Sequence, residues 1–234
     1  MVKSTIEAKA SVDGFDEKNA SSPLVAAPKS GHCHVAEILI DNGARLDLSW
    51  EARGTALHAA ITSGDINTVK LLLIRGASTG ARDSGESSAL TAAARAENHD
   101  IVKLLTDVGV EISGRDGRGW TALHRVVGEG KGAMVELLVA SGVPANALTN
   151  DGSTAMHLAE AKQDEEMINL LLLQERVDPN AKDKGGRTPL SRATENEREV
   201  MVKLLLQLSE LTRTLRMRVT EHRCHGLQRM GMRQ

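Results

Sequence analysis

The sequence predicts an all-α fold in which pairs of short helices stack side by side as a solenoid of helix-turn-helix units. Three observations predict it. A helix-capping residue returns at a nearly constant interval, a leucine-rich segment follows each cap, and a glycine ends most of these segments. Helices this short are not stable alone in water, so neighbouring copies must cover their apolar faces.

Residues 54–77 show the repeated unit most clearly. Thr55 is a residue type that caps helix N-termini, and the small apolar segment 56–61 forms the predicted first helix. Gly64 follows where the chain must leave this helix and reverse, a position suited to the left-handed conformation. The second helix carries a wide apolar face that includes Val69. The unit is therefore a helix, a tight turn and a second helix.

This unit recurs with a fixed period. The capping position is occupied by Ser22, Thr55, Ser88, Thr121, Thr154 and Thr188, at spacings of 33, 33, 33, 33 and 34 residues. The second helix recurs as VAEILI, TVKLLL, IVKLLT, MVELLV, MINLLL and MVKLLL. A period of this length is typical of stacked repeat proteins.

The repeated motif resembles that of the ankyrin repeat family. The family pattern is a Thr-Pro-Leu-His start, a Gly-His turn and a leucine-rich second helix that ends in Gly-Ala. Here it stands as TALH at 121–124, TAMH at 154–157, TPLS at 188–191 and GH at 31–32. The resemblance implies hairpin or loop fingers that project from the helices, and a concave face that binds another protein.

The recurrence divides the chain into a repeat array, 1–208, and a tail, 209–234. The array comprises a half repeat at 1–18 and repeats at about 19–50, 51–83, 84–116, 117–149, 150–183 and 184–208. The half repeat suggests a fragment of a longer array, and a solvated N-terminal cap is the alternative. The tail contains six Arg and two Glu, and Leu208, Leu211, Leu215 and Val219 have the spacing of one more helical face before a disordered end.

Composition excludes several classes of protein. The net charge is −2, which argues against a general nucleic-acid binder. The two cysteines form no disulfide framework, which favours an intracellular, cytoplasmic or nuclear location. No apolar run is long enough for a membrane span, and we expect no membrane partner.

No catalytic apparatus is apparent in the sequence. His58, His124 and His157 each lie three residues after a capping Thr and recur with the repeat, which indicates a structural role rather than a shared site. The segments HCH at 32–34 and HRCH at 222–225 lack a second ligand pair at zinc-finger spacing. We therefore expect no enzyme activity, no cofactor, no metal and no small-molecule substrate.

Positions that vary between repeats are the candidate binding residues. The resemblance implies that the residues just before each cap and those at the end of each first helix line the concave face. The candidates on this face are Glu51, Thr62, Ser63, Ser87, Arg95, Arg118, Trp120, Glu129, Ser153, Lys162 and Arg187. Trp120 is the strongest anchor candidate because Trp is enriched among binding hot spots. Local packing against a neighbouring finger is the alternative for this side chain.

The sequence thus predicts a scaffold that binds a partner protein through an ankyrin-type concave face. Two alternatives remain. The chain is the recognition part of a larger enzyme or receptor, or it acts in the nucleus or on nucleic acid through its Arg-rich tail.

Backbone strain is expected where the repeat replaces a turn glycine. Glu97, Gln163 and Glu197 stand at the turn between helices, and Glu175 stands near the terminal glycine position of the fifth repeat. A non-glycine residue in the left-handed conformation costs about 1–2 kcal/mol. We therefore predict that the fifth and sixth repeats open before the second, which hydrogen exchange would measure.

Overall fold

The computed structural model describes residues 12–14, 22–30, 32–49 and 54–207. The described chain is helical, apart from turns, loops and one isolated antiparallel bridge between Arg82 and Ser88. The α-helices are α1 (Pro23–Ala26), α2 (Cys33–Asp41), α3 (Ala56–Ser63), α4 (Ile66–Ile74), α5 (Ala89–Arg95), α6 (His99–Asp107), α7 (Ala122–Glu129), α8 (Gly132–Ala140), α9 (Ala155–Lys162), α10 (Glu165–Leu172) and α11 (Pro189–Glu195). A 3₁₀ helix covers Ala27–Ser30, and residues 199–207 are also helical.

The chain divides into two compact units, Met1–Pro144 and Ala145–Gln234. In the first unit the helices pack in pairs, α3 with α4, α5 with α6 and α7 with α8. First helices also pack on first helices, α3 on α5 and α5 on α7. In the second unit α9 packs on α10 and on α11. Each unit is therefore a set of stacked helix pairs, as the period predicts.

The six predicted caps are confirmed as N-cap residues, each directly before the first helix of its pair. Where His stands three residues later, it replaces the Glu of an ordinary capping box. The Thr154 hydroxyl accepts from the His157 amide at 3.4 Å, and the His157 ring nitrogen Nδ1 accepts from the Thr154 amide at 3.3 Å. The Thr-x-x-His spacing thus satisfies two amide groups at the start of the helix.

Small and branched aliphatic side chains fill the core. The second residue after the cap, as at Leu57 and Leu123, is buried in the first five repeats, whereas Leu190 in the sixth is only partly buried. The inner positions of the second helices, including Val69, Val135 and Ile168, are also fully buried. A core built without large aromatic residues allows short helices to approach closely, which explains the low aromatic content of 1%.

Three of the four predicted strained turns are confirmed. Glu97, Gln163 and Glu197 have φ angles of 55°, 57° and 54°, in the left-handed region that Gly64 occupies with a φ of 75°. A further such residue, Glu86 with a φ of 57°, lies in a finger and was not predicted.

The prediction of strain at Glu175 is wrong. Residues 174–177 form a different turn, in which the Gln174 amide donates to the Leu171 carbonyl at 3.1 Å and the Val177 amide donates to the Gln174 carbonyl at 3.0 Å. Glu175 is not among the described residues with a positive φ. The longer segment between α10 and the next finger absorbs the extra residue of this repeat, so no left-handed residue is needed.

Two predicted segments lie largely or wholly outside the described residues. Of the half repeat 1–18, only residues 12–14 are described, and the Asp13 carboxylate accepts from the Arg45 amide and from Arg45 Nε, both at 3.0 Å. The tail 209–234 is not described. The half repeat, the repeat boundaries and the tail helix therefore remain predictions.

Relief of strain at Gln163 should stabilise the protein. Because Gln163 adopts a left-handed conformation, we expect Gln163→Gly to raise the free energy of unfolding by about 1 kcal/mol, reduced by the greater freedom of glycine in the unfolded chain. Glu175→Gly is the matched control and should give no gain. Thermal or urea unfolding measures both, and an equal effect of the two substitutions would contradict strain at Gln163.

Candidate functional site

The fingers between helix pairs are tight turns closed by an aspartate. In the finger between α4 and α5, Asp83 Oδ1 accepts from the amides of Gly85 and Ser87 at 2.9 and 2.8 Å. Asp116 and Asp183 each accept from two amides of their own finger in the same way. In the finger between the fourth and fifth repeats, Thr149 takes this place, and its hydroxyl accepts from the Ser153 amide at 3.0 Å. Side chains at the finger tips are thus held on a fixed backbone.

Two of the repeated histidines connect a first helix to the finger that follows it. His58 Nδ1 accepts from the Thr55 amide, so its Nε2 carries the proton and donates to the Ser87 carbonyl at 3.2 Å. His157 Nε2 reaches the Arg187 carbonyl in the same manner at 3.0 Å. Burial lowers the pKa of both imidazoles, which favours the neutral form that this bonding needs. The structural interpretation of the histidines is confirmed.

In the fourth and sixth repeats the residue before the cap contacts the residue eight positions later, at the end of the first helix. Trp120 lies against Gly128, where an added Cβ would stand 2.9 Å from Cζ3 of the indole. Arg187 pairs with Glu195 through Nη1 and Oε2 at 3.4 Å. In these two repeats the two positions together form one local surface.

Trp120 is held in a fixed position on the first unit. The Arg125 guanidinium lies 5.0 Å from the centre of its ring, within cation–π distance. Arg125 Nη2 also donates to Asp116 Oδ2, and Asp116 Oδ1 accepts from the amides of Arg118 and Trp120 at 2.9 and 2.8 Å. The indole is therefore half-buried between Arg125 and Gly128, with contacts within its own repeat.

A charged network lies beside this indole. Arg95 Nε pairs with Glu129 Oε1 at 2.9 Å, and Lys131 Nζ pairs with Glu129 Oε2 at 2.9 Å and with Glu97 Oε1 at 3.5 Å. Burial alone would raise the pKa of Glu129, but Lys131 and Arg95 outweigh it and hold that pKa below its usual value. The network fixes the ends of α5 and α7 relative to each other.

Most of the predicted binding residues are exposed. The exposed ones are Thr62, Ser63, Arg95, Arg118 and Glu129 in the first unit and Lys162 and Arg187 in the second. The hydroxyls of Thr62 and Ser63 are not free, since they donate to the carbonyls of His58 and Ala60 at 2.8 and 3.0 Å. Glu51 lies outside the described residues.

The expectation that Ser87 and Ser153 face outward is wrong. Their exposed fractions are 2% and 3%. The finger folds back at this position, so the Ser87 amide points to Asp83 and its carbonyl to His58. Ser153 Oγ accepts from Arg192 Nη1 at 3.1 Å. A small side chain at this position turns inward, whereas Trp120 and Arg187 are too large to do so.

Sequence reasoning missed a buried ion pair in the second unit. Glu160 has no exposed surface, and its Oε1 lies 2.6 Å from Arg198 Nη1. The corresponding positions of other repeats carry Ile61, Ala94 and Val127, all fully buried. A glutamate at a position that is apolar in the three preceding repeats was the signal that could have revealed it.

Comparison with known proteins identifies the family. The family profile for ankyrin repeats matches three times, at residues 1–83, 76–147 and 127–214. The chain therefore belongs to the ankyrin repeat family, and the predicted all-α class with stacked helix-turn-helix units is confirmed. No curated protein matches the sequence significantly.

Solved structures support the same fold. The crystal structure of the ankyrin repeat domain of Bcl-3, described as a unique member of the IkappaB protein family, is 24% identical with a TM-score of 0.76, over 87% of this chain and 90% of that chain. An ankyrin repeat domain from Acinetobacter baumannii AYE is 26% identical with a TM-score of 0.67, over 80% of this chain and 97% of that chain.

Ankyrin repeats are generally protein–protein interaction modules, and ankyrin repeat domains are typically binding modules rather than enzymes. Among the described residues, no helix combines the length and apolar content needed to cross a bilayer. The same part of the chain contains no group of three or more His, Cys, Asp or Glu side chains placed to hold a metal ion.

The pH dependence of stability should reveal the role of Asp116. Burial alone would raise its pKa, but the Trp120 amide, Arg125 and the Arg118 amide outweigh it and hold the pKa below the ordinary value of 3.8. The charged form therefore stabilises the fold fully above pH 3.8, and this contribution disappears as pH falls through the native pKa.

We expect Asp116→Asn to lower the free energy of unfolding by about 1–3 kcal/mol at pH 7. The difference in the free energy of unfolding between the variant and the wild type should become smaller in acid. Urea unfolding between pH 7 and pH 3 measures this difference. Asp107→Asn, at an exposed aspartate at the end of α6, is the control and should have little effect at any pH. A difference for Asp116→Asn that stays constant with pH would contradict the assignment.

Proposed function

We propose that this protein is an intracellular scaffold that binds a partner protein through a surface centred on Trp120. We define the Trp120 patch as Arg95, Arg118, Trp120 and Glu129. The observation that carries the proposal is the position of the indole, which is partly exposed and fixed between Arg125 and Gly128. An aromatic side chain that is already ordered loses little conformational entropy on binding.

The residues around the indole fit such a role. Arg118 is exposed two residues before Trp120, and both of their amides are fixed by Asp116. Glu129 follows Gly128, the residue beneath the indole, and it is paired with Arg95. The patch therefore combines one aromatic anchor with charged side chains at its rim, a composition common in binding hot spots.

The second unit offers a smaller surface of the same kind. Lys162 and Arg187 are exposed, and Arg187 is oriented by Asp183 at 3.0 Å and by Glu195 at 3.4 Å. We propose that these residues form a separate protein-binding surface of the second unit. The two alternative functions, through the Arg-rich tail or as part of a larger enzyme or receptor, gain no support from contacts among the described residues.

Removal of the patch should weaken binding without unfolding the protein. We expect the double substitution Arg118→Ala/Trp120→Ala to reduce affinity for a captured partner by about 30-fold or more, because hot-spot truncations lose 2 kcal/mol or more. The matched control is Lys70→Ala/Ile74→Ala on α4, which removes an exposed cation and an exposed apolar side chain elsewhere on the same unit.

Partner capture from cell extract, followed by titration calorimetry with the captured protein, measures the affinities. Circular dichroism melting shows whether each variant is folded at the temperature of the titration. Equal affinity of the folded double variant and the control variant would remove the Trp120 patch as the binding surface.

A further inference from the structure

One position in the repeat has two different uses in this structure. The residue directly before the second helix caps that helix in three repeats, where Asp65, Asn98 and Asp164 accept from amides of the first turn at 3.1, 3.1 and 2.9 Å. In the fourth and sixth repeats the position is basic, as Lys131 and Arg198. A cation cannot accept an amide hydrogen bond, so these two side chains are released for another contact.

Both basic side chains reach back to the preceding repeat. Lys131 Nζ donates to the Arg95 carbonyl at the end of α5, and Arg198 Nη1 donates to the Glu160 carbonyl near the end of α9 at 3.0 Å. Both carbonyls lie in the last turn of a helix, where the partial negative charge of the helix dipole favours cations. In the second to sixth repeats, the side chain at this position therefore either caps its own helix or bonds to the preceding repeat.

The clamp in the sixth repeat differs because it reaches a buried carboxylate. Glu160 has no exposed surface, and its Oε1 accepts from Arg198 Nη1 at 2.6 Å, while its Oε2 has no hydrogen-bond partner among the described residues. By contrast, Glu97 and Glu129, whose carboxylates pair with Lys131, are exposed. A buried carboxylate that loses its only cation remains as an uncompensated charge, which is strongly destabilising.

The backbone beside this clamp is strained. Glu197, directly before Arg198, is left-handed with a φ of 54°. The Arg198 amide closes the turn by donating to the Ala193 carbonyl at 2.9 Å. Arg198, which connects the sixth repeat to the fifth, thus directly follows a strained residue. The backbone energy of this turn would fall if the turn relaxed.

The sixth repeat covers an apolar surface of the fifth. Ile168 in α10 is fully buried, whereas Val202, at the corresponding position of the sixth repeat, is only partly buried. Likewise, Met156 in α9 is buried, whereas Leu190, at the corresponding position of the sixth repeat, is only partly buried. The burial of Ile168 and Met156 therefore depends on the presence of the sixth repeat.

We propose that the Glu160–Arg198 pair is a latch, so that the sixth repeat detaches from the fifth as one unit when this pair is broken. Detachment uncovers the apolar surface around Met156 and Ile168, while the helix pair α9–α10 stays folded. Apolar side chains occupy the position of Glu160 in the second, third and fourth repeats, so the ion pair gives this junction a contact that a single substitution can break.

Hydrogen exchange on the full-length chain tests the latch, with exchange compared between residues 189–207 and residues 155–172. Arg198→Met should speed exchange of 189–207 at least tenfold and change 155–172 far less. Glu160→Val/Arg198→Met replaces the pair with apolar groups and should restore the protection of 189–207 to the wild-type level or above. Lys203→Met, which breaks the exposed pair with Glu199 in the same helix, is the matched control and should leave exchange unchanged.

The proposal is overturned if Arg198→Met exchanges like the control, or if it speeds exchange of 155–172 as much as that of 189–207. It is also overturned if the double variant exchanges as fast as Arg198→Met alone. Should Arg198→Met fail to fold, Glu160→Gln provides the milder test. It removes the charge with little change of shape and should give an intermediate acceleration confined to 189–207, and no acceleration there would overturn the latch.

Discussion

The hydrogen bonds of the repeated Thr-His pair hold a repeat to the next one at one junction in each compact unit. Threonine and histidine cap the first helix together, and the second ring nitrogen of His58 then bonds to the carbonyl of Ser87 in the following finger. One side chain thus serves both the helix and the junction. Because the imidazole is buried and neutral, the bond is shielded from competing water. The positions of these two fingers, and of the side chains they carry, are fixed by this contact.

The architecture was predictable because it depends on residues that recur. Capping residues, buried leucines and turn positions appear at a constant interval, so each repeat confirms the interpretation of the others. The left-handed conformation of Glu97, Gln163 and Glu197 could also be predicted, since each replaces a glycine at a fixed place in the unit. Glu175 could not be treated in this way, because an added residue lets the loop take another path.

The site was less predictable because its residues are those that do not recur. The direction of a side chain before the cap depends on its size, so Ser87 and Ser153 turn inward while Trp120 stays partly exposed. A period gives the position of a residue but not the pair it forms with a residue in the next repeat. The contact between Glu160 and Arg198, which lie 38 residues apart, could not be predicted for this reason.

The contact between a pre-cap residue and the residue eight positions later makes two columns of the repeat interdependent. Trp120 occupies the space that a side chain at position 128 would need, and Arg187 is oriented by the acidic group of Glu195. A binding surface of this kind therefore varies in matched pairs rather than one residue at a time. Transfer of the tryptophan alone into another repeat would meet the side chain already present there, whereas transfer of both residues would carry the local surface intact.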